Sequence, residues 1–124
     1  MQHSISDFKK LFFEIPHKNR TEKHISDPLN GSAAKRINMY LRWMVRKDTK
    51  GVDFGIWKSI KASQLVCPLD VHVIRQASEL GLISNSKGDW KTALELTQNL
   101  KAFDPKDPVK YDFALFGKGV SEAL

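Results

Sequence analysis

Residues 30–46 decide the fold, and their sequence is NGSAAKRINMYLRWMVR. A turn of small residues leads into a segment whose apolar residues recur at the spacing of one helix face. We therefore predict an amphipathic helix over about residues 32–47, with a core stripe of Ile37, Tyr40, Leu41, Met44 and Val45. Basic residues surround the stripe: Lys35, Arg36, Arg42, Arg46 and Lys47.

Lys35 is the unusual residue of this helix. It falls in the predicted first turn, where backbone N–H groups are unpaired and the helix dipole is positive. A cation is less favourable there than at the C-terminal end of a helix. The position is therefore either neutral to stability or selected for chemistry or for binding an anion.

Composition bounds the class of protein. The chain has 124 residues and a formal net charge of +6, and 41% of its residues are hydrophobic. These values fit a single domain with a modest core and favour an anionic partner, most commonly nucleic acid. A basic protein without such a partner is an equally open interpretation. Cys67 is the single cysteine and the four histidines lack ligand spacing, so we expect neither a metal nor a cofactor.

The same composition bears on location. No apolar run approaches the roughly 20 residues of a membrane span, and no signal peptide is recognisable. We expect a cytoplasmic protein with no membrane partner.

Helix signals and the absence of alternating strands predict an all-α fold of about five helices. Asp70 and Asp89 are placed to cap helices, Gly81 to end one, and Gly117 and Gly119 to break the last. Besides the helix at 32–47, we predict helices at about residues 8–15, 71–80, 90–103 and 109–116, with a helical turn near 54–60. The expected organisation is an N-terminal helix and basic loop (1–27), the turn and second helix (28–47), an insertion (48–69) and the C-terminal helices (70–119).

Three features could carry chemistry. Lys35 could be a covalent nucleophile, and Asp70 could orient a water or stabilise a cationic sugar transition state. The turn at residues 30–34 offers backbone N–H groups to a phosphate. Each has a plainer interpretation: a solvated lysine, an ordinary helix cap and a simple turn. Tyr111 and Asp112 could serve either a site or the core.

Two strings carry a resemblance to a known superfamily. Residues 29–41, LNGSAAKRINMYL, resemble the hairpin and second helix of helix-hairpin-helix DNA glycosylases, whose pattern is roughly L-P-G-V-G-R-K-T-A-N-V-V-L. Residues 69–75, LDVHVIR, are similar to that superfamily's V-D-T-H-I-F-R. Longer strings look closer still to an uncharacterised bacterial family usually placed in this endonuclease III-like superfamily, over nearly the whole chain after about Lys23.

The resemblance implies a DNA-binding protein, with duplex DNA as the partner and no cofactor. If the protein is active, it implies base excision with strand nicking at the abasic site, Lys35 forming a Schiff base and Asp70 assisting. The implied phosphate-binding residues are Gly31, Ser32, Ala33 and Arg36. The iron–sulfur cysteines of endonuclease III are absent, so no cluster is implied.

Departures from the pattern leave other functions open. Ala33 replaces the second hairpin glycine, Asn30 the proline and Val71 the threonine after the aspartate. Superfamily members carry more helices ahead of the hairpin, so we expect an incomplete domain, a C-terminal half able to self-associate through its open faces. The alternatives are a non-catalytic DNA- or RNA-binding module and a structural fragment whose missing half supplies function.

Overall fold

The computed structural model describes residues 1–124, and its regular secondary structure is entirely helical. Two isolated β-bridges, Ser32 with Asp89 and Lys47 with Phe54, are the only β pairings. No helix combines the length and the hydropathy needed to cross a membrane. The α-helices are α1 (Gln2–Phe12), α2 (Lys35–Val45), α3 (Val71–Glu79), α4 (Trp90–Lys101) and α5 (Asp112–Ala123). Four 3-10 helices connect them: Asn19–His24, Pro28–Asn30, Ala62–Gln64 and Pro108–Tyr111. The predicted all-α class is confirmed; the helix-hairpin-helix architecture stays a prediction.

The core lies between α3, α4, α5 and the segment that precedes α3. α3 packs along α5, and α4 packs on the 3-10 helix Pro108–Tyr111. These elements contribute a group of apolar side chains that are at most 2% exposed: Leu65, Cys67, Val73, Ala77, Ala93, Leu96, Leu100 and Val109. Ala33 and Ala34, just before α2, and Leu41 within it belong to the same buried cluster, so the core also fixes the position of α2.

The predicted boundaries of α3 are correct to within one residue because their signals are local. The Asp70 carboxylate accepts the His72 N–H at 2.9 Å, capping the first turn. Gly81 has φ of 71°, and the Leu82 N–H donates to the Ala77 carbonyl at 2.8 Å, which closes the C-terminal end. Asp89 caps α4 in the same way, through the Thr92 N–H at 2.9 Å.

Three helix starts differ from prediction. α5 begins at Asp112 rather than at residue 109, and the 3-10 helix Pro108–Tyr111 precedes it. α1 runs over Gln2–Phe12, not over residues 8–15. α2 begins at Lys35, three residues later than predicted, because Ala34 has a φ of 48° that no right-handed helix accommodates.

The predicted helical turn near residues 54–60 is wrong. The Phe54 and Trp57 N–H groups instead donate to the Trp43 and Met44 carbonyls, both at 2.8 Å. These bonds satisfy carbonyls that the end of α2 leaves unpaired, so the segment lies against α2 without forming a helix of its own. Gly55, with φ of 61°, allows this path.

The predicted break at Gly117 and Gly119 is also wrong, because α5 continues through both to Ala123. Gly119 lies where α5 crosses α3: a Cβ added there would be 2.7 Å from the Cβ of His72 and 3.0 Å from its carbonyl oxygen. Glycine therefore permits a close helix crossing here and does not end the helix.

Candidate functional site

The turn before α2 is held by two polar side chains, one from the turn and one from α2. Ser32 Oγ accepts the Ala34 N–H at 3.1 Å, and Asn38 Nδ2 donates to the Ala33 carbonyl at 3.0 Å within the core. Ala34 is buried, and its backbone has the left-handed conformation, which changes the chain direction immediately before Lys35. The backbone at this turn thus fixes where the lysine side chain starts.

Lys35 and Asp70 come together although 35 residues separate them. Lys35 Nζ donates to Asp70 Oδ2 at 2.6 Å, while Oδ1 of the same carboxylate caps α3. Burial by itself would raise the pKa of Asp70. The hydrogen bonds from Lys35 and the His72 N–H outweigh it, so the pKa lies below its ordinary value. Asp70 is therefore a carboxylate at neutral pH and both a helix cap and the partner of Lys35.

The pair stands at a cleft of about 250 Å³ between α2, the residues preceding α3, and α5. Phe113 and Phe116 of α5, with Pro68 and Met39, form apolar walls. The cleft is lined by Lys35, Met39, Arg42, Pro68, Asp70, Asp112, Phe113 and Phe116. This volume is slightly below the roughly 300–1,000 Å³ of pockets for drug-sized ligands and suits one sugar or one base.

Behind the cleft lies an ionic cluster, buried at Arg42, Asp53 and Asp112 and partly exposed at Arg46 and Asp107, that the sequence pattern does not predict. We define the ionic cluster as Arg42, Arg46, Asp53, Asp107 and Asp112. Arg42 Nε donates to Asp53 at 3.3 Å, and its Nη1 donates to Asp112. Arg46 bonds Asp107 through Nε at 2.7 Å and Nη2 at 3.0 Å, and bonds Asp53 as well. The i, i+4 spacing of the two arginines and the nearby Asp53 are the available signal, but the other two acidic partners, Asp107 and Asp112, are more than 60 residues away.

The ionic cluster shows that the buried face of α2 is partly polar, not purely apolar as predicted. Arg42 is buried at 6% exposure rather than flanking the apolar stripe, and Asn38 is buried at 1%. Tyr40, predicted to be a core residue, is 45% exposed. One face of α2 is therefore built from buried polar groups, which an apolar periodicity does not detect.

Asp112 joins the ionic cluster to the cleft. Burial raises its pKa to about 6; Arg42 opposes this rise, and the nearby carboxylates of Asp53 and Asp70 add to it. Asp112 is a core residue, because it is only 5% exposed, and it also lines the cleft.

The expected phosphate-binding residues are arranged differently. The Gly31 N–H already donates to the Pro28 carbonyl at 3.0 Å, and the Ser32 N–H to the Asp27 carbonyl at 3.3 Å. No side chain caps α2, so the N–H groups of Lys35, Arg36 and Ile37 have no acceptor in the chain. Arg36 is exposed on a neighbouring groove and not in the cleft. The assignment of Gly31, Ser32, Ala33 and Arg36 to phosphate stays a prediction.

Fold and cleft together define an all-α protein with a lysine–aspartate pair beside two aromatic side chains. No group of three or more His, Cys, Asp or Glu is arranged to hold a metal ion. The chain belongs to the family described as "Protein of unknown function (DUF2400)", whose family model matches residues 1–121. No curated protein and no solved structure matches the chain.

Proposed function

We propose that this protein is a helix-hairpin-helix DNA-glycosylase-like domain that binds duplex DNA and attacks a flipped-out nucleoside through Lys35. The observation that carries the proposal is the 2.6 Å contact between Lys35 Nζ and Asp70 at the mouth of one aromatic-lined cleft. Endonuclease III-like enzymes need a lysine and an aspartate together, and the resemblance assigned those roles to these two residues.

In the proposed reaction the base is first extruded from the stack, because its sugar is otherwise out of reach. Asp70 takes a proton from Lys35, and the neutral amine forms a bond to C1′. The base leaves with the pair of electrons from its glycosidic bond and takes up a proton. The C1′–O4′ bond of the sugar ring then breaks as the nitrogen lone pair forms a protonated imine, and O4′ takes up a proton. The imine loses a proton from C2′, and the 3′ phosphate leaves with the C3′–O electrons, which nicks the strand.

DNA binding would depend on the positive net charge of the protein and on the N–H groups at the start of α2. The net charge of +6 favours the DNA backbone, and the three unpaired N–H groups of the first turn can donate to a phosphate. Arg36 is exposed beside them and can add an ionic contact. Such contacts position a protein on DNA but read no sequence.

The test is borohydride trapping on a duplex that contains one abasic site. We expect the parent to form a covalent adduct and Lys35→Ala to lose it. Lys110→Ala is the matched control, because Lys110 Nζ also lies 2.6 Å from an aspartate but outside the cleft. The lyase reaction is excluded if the parent forms no adduct, or if Lys35→Ala forms as much as the parent.

A second candidate, a non-catalytic DNA-binding module, is favoured by the ion pair itself. Lys35 is held by Asp70, and attack on C1′ needs an amine released from that pair. This function predicts affinity for undamaged duplex that falls steeply with salt and no borohydride adduct at any pH. Titration of labelled duplex at several salt concentrations, alongside trapping, separates the two functions.

A further inference from the structure

The charges of the ionic cluster do not balance, since three carboxyl groups face two guanidinium groups. Asp53 accepts hydrogen bonds from both arginines, and Asp107 accepts two from Arg46. Asp112 accepts only one, from Arg42 to Oδ2, and its Oδ1 has no hydrogen-bond partner in the protein. The surplus carboxyl group of the ionic cluster is therefore Asp112.

The surplus group faces the candidate site. Asp112 lines the same cleft as Lys35 and Asp70, and Phe113 and Phe116 follow it on α5 as apolar walls. A purely structural partner for Arg42 would need one acceptor oxygen, which an amide supplies equally well. The carboxyl group is therefore unexplained by the packing alone.

The surroundings of Asp112 favour its protonated form, and those of Asp70 favour the carboxylate. Burial raises the pKa of Asp112 to about 6, whereas the pKa of Asp70 lies below its ordinary value. Neighbouring carboxyl groups with separated pKa values are how enzyme sites assign an acid and a base. Asp112 is the member that can hold a proton near neutral pH and give it up.

We propose that Asp112 is the general acid of the cleft, a catalytic residue that protonates the group leaving C1′. The proposal rests on the proposed lyase function. With an abasic sugar, Lys35 Nζ adds to the C1′ aldehyde and a proton moves from nitrogen to oxygen, giving a carbinolamine. The C1′–O bond then breaks, its oxygen takes the Asp112 proton and leaves as water, and the nitrogen lone pair forms the protonated imine that borohydride reduces. The Asp112 carboxylate that remains is hydrogen-bonded by Arg42 and regains a proton from solvent.

Several charged or titratable groups face Asp112 and set its proton affinity. They are Lys35 and Arg42 of α2, Asp53 of the insertion, and Cys67 and Asp70 ahead of α3. The titratable or charged side chains of α3 that contact α5, His72 and Arg75, do so further along that helix, at Phe116 and Gly119.

The experiment is the single-turnover rate of borohydride trapping on abasic duplex DNA as a function of pH, for the parent and for Asp112→Asn. At low pH we expect the parent to be faster by about 100-fold, the usual contribution of a general acid. The parent-to-variant ratio should fall as pH rises through about 6. Asp107→Asn, which perturbs the same ionic cluster outside the cleft, should leave the pH dependence of the parent unchanged.

A ratio that does not change with pH, or a variant as fast as the parent, overturns the role of Asp112 while leaving Lys35 as the nucleophile. A parent that forms no adduct at any pH overturns the lyase function and Asp112 with it. If Asp112→Asn does not fold, carbon-13 NMR of the parent decides. The Asp112 carboxyl must titrate near pH 6 and coincide with a limb of the trapping profile. A midpoint in the ordinary range of aspartate, or a profile without that limb, contradicts the proposal.

Discussion

Two lysine–aspartate pairs in this molecule have the same geometry and different surroundings. Lys35–Asp70 and Lys110–Asp104 both have N–O distances of 2.6 Å. Their side chains are similarly exposed, at 43% and 18% in the first pair and 40% and 24% in the second. In both pairs the pKa of the aspartate is lowered. An ion pair of this kind therefore does not by itself mark a site.

What separates the pairs is what lies around them. Lys110 reaches an aspartate six residues away and lies 5.2 Å from the ring of its neighbour Tyr111, all within one local turn. Lys35 and Asp70 are brought together from distant positions at a cleft backed by the ionic cluster. The candidate site is therefore distinguished by a lysine and an aspartate from distant parts of the chain meeting at a cleft, and not by the ion pair alone.

The largest expected effect comes from removing the buried support of the cleft. Asp53 is 4% exposed and joins both arginines of the ionic cluster, so Asp53→Asn should lower the free energy of unfolding by about 3–5 kcal/mol. Asp104→Asn, at the exposed pair, should cause only a small loss. Urea denaturation of both variants checks this difference. Equal losses would mean that the ionic cluster does not hold the cleft together.

The next effect is a pH dependence of stability. The pKa of Asp112 is raised in the folded state to about 6, so between its unfolded value and 6 the folded state holds the extra proton. The free energy of unfolding should therefore fall as pH rises through this window, by up to about 3 kcal/mol. Asp70 contributes to the pH dependence of stability with the opposite sign, because its pKa is lowered in the folded state and the stability that this gives is lost in acid.

Asp112→Asn isolates the first of these contributions. It should remove the fall between about pH 4 and 6 and leave stability at pH 7 unchanged or higher, because an amide imitates the protonated acid. Denaturation across pH measures it. A large loss of stability at pH 7 would show that the Asp112 carboxylate is required for folding.

A smaller effect tests the helix crossing that positions Phe113 and Phe116. Gly119→Ala should destabilise by about 1–2 kcal/mol, because the added methyl group meets the backbone and Cβ of His72. Gly117→Ala meets nothing within 4 Å and should stabilise α5 by about 0.5–1 kcal/mol. Thermal denaturation of the two alanine variants checks the signs. Equal signs would contradict the close α3–α5 contact.

The smallest effect concerns the lysines themselves. Lys35→Ala should cost about 0–1 kcal/mol of unfolding free energy, as an exposed ion pair does, and Lys110→Ala should cause no measurable loss. Chemical denaturation of both variants is the measurement. A large loss for Lys35→Ala would make the lysine a structural residue and weaken any loss of trapping as evidence of chemistry.

Local signals explain which parts of the fold were predictable. Asp70, Asp89 and Gly81 act within a few residues of themselves, so the starts of α3 and α4 and the end of α3 follow from the sequence. Gly119 could not be interpreted correctly, because its role depends on His72, which lies on another helix. The path of residues 54–60 depends in the same way on the carbonyls at the end of α2.

The residues of the candidate site also differ in how far the sequence predicts them. Lys35 and Asp70 are candidates because of their positions at helix starts, the resemblance in two strings pairs them, and the structure brings them together. The role of Asp112 depends on the partners available to Arg42 and Arg46. These partners come from two separate parts of the chain: Asp53 in the insertion, and Asp107 and Asp112 on either side of the 3-10 helix Pro108–Tyr111. No local pattern reveals that three carboxyl groups compete there for two guanidinium groups.

The most direct measurement is peptide mapping by mass spectrometry of the unmodified protein after borohydride trapping on abasic duplex DNA. We predict a single adduct on Lys35 and none on Lys110, although each lies 2.6 Å from its aspartate. An adduct on Lys110, adducts spread over the exposed lysines, or no adduct at all would contradict the central claim that the cleft makes Lys35 reactive.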